Sequence, residues 1–252
     1  MDEREGGALD GQPARARRPR PAAGLGGAQG GRLVDPGAAP PAPAGRDARG
    51  AGGVQKKLAA AVAEEAARRP GKPVEAFAAD EHRVGLKPIP RRVWAPKGER
   101  PTALGHHRYE WLYVTAFVSP ATGETFWYLA DGVSKPFFAA LLALLALFAR
   151  EAGAGRERTI VLAIDNAGWH TEPGLAVPDG IRLVYLPPYS PELQPAECLW
   201  PALGEPLANR HFATLAEVDA AVARRCLALD ADPDLVRGRT GFHWWPKPLL
   251  PS

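Results

Sequence analysis

Two cysteines, Cys198 and Cys226, in a chain of 252 residues leave no room for a framework of disulfides, and no CxxC pair marks a zinc site. The six histidines are scattered without HExxH or HxxxH spacing, so a helical histidine metal site is excluded as well. Strong charge of one sign is also missing. A formal net charge of +3 permits a nucleic-acid partner without requiring one. The longest apolar run, PFFAALLALLALFA at 136–149, falls short of the roughly 20 residues that cross a bilayer. Lys135 and Arg150–Glu151 bound it, which suits a helix buried against a sheet. The first residues, MDEREGGALDGQ, lack the apolar stretch of a secretory signal. A reducing cytoplasm is the expected setting.

Residues 1–52 lack lysine, and no aromatic residue appears before Phe77. Rich in Gly, Ala, Pro and Arg, such a segment buries too little apolar surface to offset its ordering entropy, and a disordered leader is expected. Its cluster RARRPRP at 15–21 could touch phosphate, although a solvated tail is the plainer reading.

What is present begins with a helix over 54–71, with Gly71 as its stop signal. PVEAFAADEHRVGL at 73–86 reads as a strand that reaches Asp80. Two aromatic-rich strands fill 109–132, joined by a turn around Pro120–Thr125. After the 136–150 helix come a strand over 159–165, a short helix over 169–177 and a strand over 181–186. A last helix is expected to start near Pro195 and run toward Asn209. This alternation predicts an α/β fold, a mixed sheet flanked by helices, with ligands gathered at the carboxyl ends of its strands.

Asp165 ends one such strand, in VLAIDNAGWH. Glu197 follows a proline-punctuated turn, LPPYSPELQPAECLW at 186–200. With Asp80 they form a set of carboxylates suited to Mg²⁺, with Mn²⁺ as a substitute, since both ions prefer oxygen ligands. Two such ions about 4 Å apart can activate an attacking oxygen and stabilise a departing one at a phosphodiester. The spacing alone is weakly specific. Asp80 also suits a strand end, with Glu81 an equally acidic neighbour; Asp165 also suits a helix N-cap, and Glu197 a helix dipole.

The segments DEHRVGLKP (80–88), VWAPKGERP (93–101), AIDNAGWH (163–170) and LPPYSPELQPAECLW closely resemble the DDE transposases of bacterial insertion sequences related to mariner. NRHF (209–212) and GFHWW (241–245) resemble one branch of that family, and the likeness extends over residues 54–246. It implies a ribonuclease-H-like catalytic domain over 53–246, between a 1–52 leader and a 247–252 tail. It implies Asp80, Asp165 and Glu197 as catalytic, metal-binding residues for two ions, and favours Asp80 over Glu81. It implies double-stranded DNA as partner, a homodimer in the active complex, and association with the nucleoid when DNA is bound. Insertion at a TA dinucleotide is a further family expectation. Thirty-one residues separate Asp165 from Glu197, fewer than is common in the wider family. Family members normally begin with helix-turn-helix modules, whereas residues 1–52 show no helical apolar periodicity. The expectation is a catalytic domain behind an unrelated or frameshifted leader.

Around Asp80 the sequence places Arg83, Lys87, Arg91, Arg92, Lys97 and Arg100 near Trp94, cations for phosphate and a ring for a base. A solvated turn over a buried Trp94 is the alternative. His170 could contact phosphate, and Asn166 could orient a water; Trp169 is ambiguous. Trp200 should face the core, and Trp244 and Trp245 should pack the tail. Three rival readings remain: an inactive remnant that at most binds DNA, a ribonuclease-H-like nuclease that hydrolyses without joining, and, more distantly, a glycosidase.

Overall fold

The computed structural model describes residues 14–15, 51–94, 102, 104, 108–131, 137–165 and 177–250. Helix α1 (Ala51–Arg68) buries Val54, Leu58, Ala61 and Val62, the spacing of one helical face. Gly71, at φ +86°, turns the chain out of it. Strand β2 (Val74–Gly85) pairs antiparallel with β3 (Trp111–Val118), which pairs antiparallel with β4 (Thr125–Asp131). Gly123, at φ +80°, closes the expected turn between β3 and β4. Helix α2 (Phe137–Glu151) returns the chain to β5 (Thr159–Ile164), which lies parallel to β2; β6 (Ile181–Tyr185) lies parallel to β5. A two-residue strand, β1 (Ala14–Arg15), borders β4, and the sheet order is β1-β4-β3-β2-β5-β6. Among the described residues no helix is long and apolar enough to cross a membrane.

Side chains alternate across the strands, so the sheet builds two cores. On one face Phe77, Phe117, Phe126 and Tyr128 meet Leu144, Leu145 and Phe148 of α2, with Phe117 and Phe148 stacked at 4.1 Å. On the other, Val74, Ala76, Ala78, Ala116, Val161 and Ala163 lie under α1, α4 (Leu215–Asp230), α5 (Pro233–Thr240) and the turns before α4. This second face is paved with small residues: Ala76, Ala78, Ala116 and Ala163 are all buried, as is Ala196 above them. The tail packs as expected, with Trp245 buried and its indole N–H donating to the Ala76 carbonyl at 3.3 Å. Leu249 and Val74 exchange backbone hydrogen bonds of 2.9 Å, tying the last described residues to β2.

The expected helix from Pro195 to Asn209 is not continuous. A 3₁₀ turn over Pro195–Leu199 is followed by the single helical turn α3 (Trp200–Leu203) and a 3₁₀ turn over Glu205–Leu207. Pro195, Pro201 and Pro206 each lack the N–H that would extend a helix and each starts a short piece. Helices α4 and α5 were not anticipated. Thr214 caps α4 by accepting from the Glu217 N–H, while the Glu217 carboxylate accepts from the Ala213 N–H. Asp232 caps α5 by accepting from the Leu235 N–H at 3.0 Å. The short helix expected at 169–177 lies outside the described residues, apart from Val177.

Candidate active site

Strand β2 is buried on both faces from Val74 to Ala79 and emerges at Asp80; β5 is buried throughout and gives way to an exposed Asp165. The two strands run parallel with Ala78 opposite Ala163. Two residues further in the same register Asp80 stands level with Asp165, and the alternation turns both carboxylates to the alanine-paved face. Asp80 lies opposite Ala116 on its other side. Alanines thus precede both acids on their strands, and a third stands opposite Asp80.

Glu197 comes from the turn over Pro195–Leu199, anchored by buried Ala196 and Leu199. The preceding loop passes through Tyr189, at φ +56°, and a 3₁₀ turn over Pro191–Leu193. Buried Gln194 then donates its carboxamide N–H to the Ala79 carbonyl at 2.8 Å. This bond clips the Glu197 turn to the residue before Asp80.

The Glu197 residue as a whole is exposed, yet its carboxyl is pushed above the ordinary range, first by desolvation and then by the charges of Asp80 and Asp165. Three acids on three separate elements therefore share one electrostatic neighbourhood. Next to them, the Trp200 indole N–H donates to Asp80 Oδ2 at 2.8 Å. The His82 ring stacks on Trp200 at 5.0 Å and 13°, and burial with Arg83 nearby pushes its imidazole below the usual value. The Cys198 thiol is pushed up by burial and then by Glu197.

Among the described residues no group of three or more His, Cys, Asp or Glu side chains is placed closely enough to hold a metal ion. The donor chemistry of the trio nevertheless fits a hard divalent cation. All three donors are carboxylates, and a cation between them would relieve the repulsion felt by Glu197. Trp200 was missed as a site residue in the sequence, where its expected place was the core; it is indeed buried, and it touches the site as well.

The basic segment after Asp80 forms an exposed ledge. Arg83 lies over the Trp111 ring at 5.7 Å and Lys87 over the Tyr109 ring at 5.3 Å. Arg92 is exposed, and Trp94 is 95% exposed, which removes the buried-tryptophan alternative. Arg91 holds the ledge in place: its guanidinium donates to the Pro201 carbonyl at 2.7 Å, and its backbone exchanges hydrogen bonds with the Asn209 side chain. Lys97, Arg100, Asn166, Trp169 and His170 lie outside the described residues.

Three antiparallel strands followed by two parallel ones, with β2 central, Asp80 midway along it and Asp165 just past the end of β5, define the ribonuclease-H-like fold that the sequence led us to expect. The chain belongs to the DDE superfamily endonuclease family, whose model matches residues 76–219 and so takes in Asp80, Asp165 and Glu197. An uncharacterized protein of Sinorhizobium fredii, y4pE/y4sA, is 37% identical over 105 residues, covering 40% of this chain and 73% of its own. An uncharacterized 39 kDa protein of insertion element IS630 from Shigella sonnei is 28% identical over 139 residues. That match takes in 54% of this chain and 39% of the Shigella protein, so the chain spans well under half of that relative. Solved structures with a distant likeness include the Mos1 mariner paired end complex with Mn, at 16% identity and TM-score 0.48, covering 87% of this chain and 68% of that one. The catalytic domain of Mos1 mariner transposase shares 13% identity at TM-score 0.42, covering 78% and 98%.

Proposed function

We propose that this chain is the catalytic part of a DNA transposase, which cleaves at transposon ends and transfers the resulting 3′ end into target DNA. The observation that carries the reading is geometric: Asp80 on β2 and Asp165 just past the end of β5 belong to adjoining parallel strands, and the Gln194 bond to the Ala79 carbonyl brings the Glu197 turn against them. Three carboxylates drawn into one neighbourhood suit divalent cations and, through them, a phosphodiester. Asp80, Asp165 and Glu197 would hold two Mg²⁺ or Mn²⁺ ions, which when bound lower the barrier to attack by polarising the phosphate and the attacking oxygen.

In the first reaction a water oxygen forms a bond to phosphorus while the bond to the 3′ oxygen of the element end breaks. One fragment keeps a 5′ phosphate, and the other gains a 3′ hydroxyl. In the second, that hydroxyl gives up its proton, its oxygen bonds to a target phosphorus, and a target 3′ oxygen leaves with a proton. One phosphodiester is made for each one lost, so joining needs no external energy source.

The ledge beside Asp80 supports DNA as the substrate. Arg83, Lys87 and Arg92 offer charge to phosphates and Trp94 offers a ring face, while Arg91 keeps the segment in place. Lys97, Arg100 and His170 complete the proposed contact set. Double-stranded ends and target, and two copies of the chain acting on paired ends, form part of the same reading.

The test is a cleavage and strand-transfer assay with Mg²⁺ or Mn²⁺ on DNA carrying the flanks of this gene, comparing the unaltered chain with Asp165→Ala. The expected result is metal-dependent joined product that disappears in the variant. Cleavage without joining would assign a nuclease. A folded chain that binds DNA but yields neither product would mark an inactive remnant.

A further inference from the structure

We infer that Trp200 is the positioning residue for Asp80, setting the carboxylate orientation on which cation binding at the site depends. The inference rests on the trio as cation holder and adds a residue that the family resemblance did not supply. Its basis is a contrast between two buried indoles that touch. Trp200 and Trp127 meet edge to face at 6.3 Å and 70°, and both belong to the core on the alanine-paved face. Trp127 lies opposite Ala116 on β4, and Ala116 lies opposite Asp80, so Trp127, Ala116 and Asp80 form one row across the sheet.

The two indole N–H groups have different fates. That of Trp127 is buried and makes no hydrogen bond, the condition of a ring used for packing. That of Trp200 donates to Asp80 Oδ2 at 2.8 Å, a charge-assisted geometry. The Trp200 ring is itself immobilised. Trp127 meets its edge, the His82 imidazole covers one face at 5.0 Å, and the ring is only 7% exposed. A donor locked by packing fixes the direction of one Asp80 oxygen just beyond the last residue of β2 that pairs with β5. Trp200 stands three residues after Glu197, so the segment that delivers the third acid also orients the first. Outer partners of this kind typically change metal affinity by about 10- to 100-fold when removed.

The experiment titrates Mn²⁺ into the full metal-free chain and follows free Mn²⁺ by its electron paramagnetic resonance signal, alongside thermal unfolding. Trp200→Phe is compared with Trp127→Phe and Asp80→Asn. We expect Trp200→Phe to weaken Mn²⁺ binding by roughly 10-fold or more, Trp127→Phe to leave it unchanged, and Asp80→Asn to lose at least as much as Trp200→Phe. If Trp200→Phe does not fold, benzothienylalanine at position 200, which keeps the ring shape and replaces only the N–H by sulfur, takes its place. Wild-type affinity in a folded position-200 variant, with Asp80→Asn impaired, overturns the inference alone. Wild-type affinity in Asp80→Asn as well overturns the trio reading and this inference with it. Equal losses in the two tryptophan variants would make packing the cause and would also overturn it.

Discussion

Glu75 and Asp80 sit on the same strand, β2, and face opposite sides of the sheet. Glu75 is buried and fully answered. Arg158 pairs with it at 2.7 Å and also takes Glu124 at 2.6 Å, Ser119 donates to it at 2.5 Å, and Thr122 donates at 3.0 Å. Midway along the strand, Asp80 receives an indole N–H and lies near Glu197, whose carboxyl is held above its ordinary range by desolvation and then by the charges of Asp80 and Asp165. Near its start the strand uses charge to close the fold; further along it carries one of three carboxylates that share a neighbourhood. The comparison shows why an acidic residue in a strand carries no meaning by itself. What marks Glu75 as structural is the set of partners that the fold brings to it, Arg158 first among them.

The largest effect that would test this contrast is on the reaction. Asp80→Asn should lower metal-dependent DNA cleavage on the order of a thousandfold, because a bound cation contributes several kcal/mol to charge stabilisation in the transition state. Its thermal midpoint should stay the same or rise, since a repulsive charge is removed; a large loss of stability would show that Asp80 is structural, like Glu75. At the opposite end, Arg158→Met should cost about 3 kcal/mol in urea unfolding, because it leaves Glu75 buried with its main cation gone. Mn²⁺ affinity of the folded fraction should not move.

A smaller effect concerns pH. Glu197 binds its proton more tightly folded than unfolded, so without metal its contribution to stability is present below the ordinary glutamate value. That contribution fades as pH rises through the raised folded value. Asp80→Asn combined with Asp165→Asn should bring the Glu197 titration, followed by carboxyl NMR, back down; an unmoved titration would leave desolvation as its sole cause. The smallest effect belongs to Asp179, held low by its hydrogen bond and charge pairing with Arg69 on the protein surface. Its contribution is present above the ordinary aspartate value and is lost as pH falls through the lowered one. Asp179→Asn should alter only the acid limb of a stability profile, near the limit of detection.

The strands were legible because their apolar runs are nearly uninterrupted and stop at acids. TIVLAI ends in Asp165, and β2 is apolar until Asp80 apart from Glu75. The alternation of strands and helices was enough to predict a mixed sheet. The pieces around Glu197 were harder to read. Pro201 and Pro206 announce breaks, but the apolar residues between them hide those breaks in a helix-like pattern. Helix α4 had a readable start in Thr214 and Glu217, three residues apart, which went unused. Trp200 could not have been assigned to Asp80 from the sequence, since the contact joins residues 120 positions apart and depends on the sheet, the Gln194 clip and α3 all being in place.

The alanines under the site have a consequence beyond filling space. Ala78, Ala116 and Ala163 hold side-chain height near the acids to a single methyl, and Ala196 brings the Glu197 turn down with another. The turn over Pro195–Leu199 rests on β2 and β3. The gap between glutamate and aspartates is therefore gauged by uncharged groups that take no part in chemistry. Enlarging Ala116 by two methyls, as in Ala116→Val, would lift the turn like a shim under a bearing. All three acids would remain, with their separation changed. Drift at these neutral positions could retune or silence such a site while every acid in the trio stays intact.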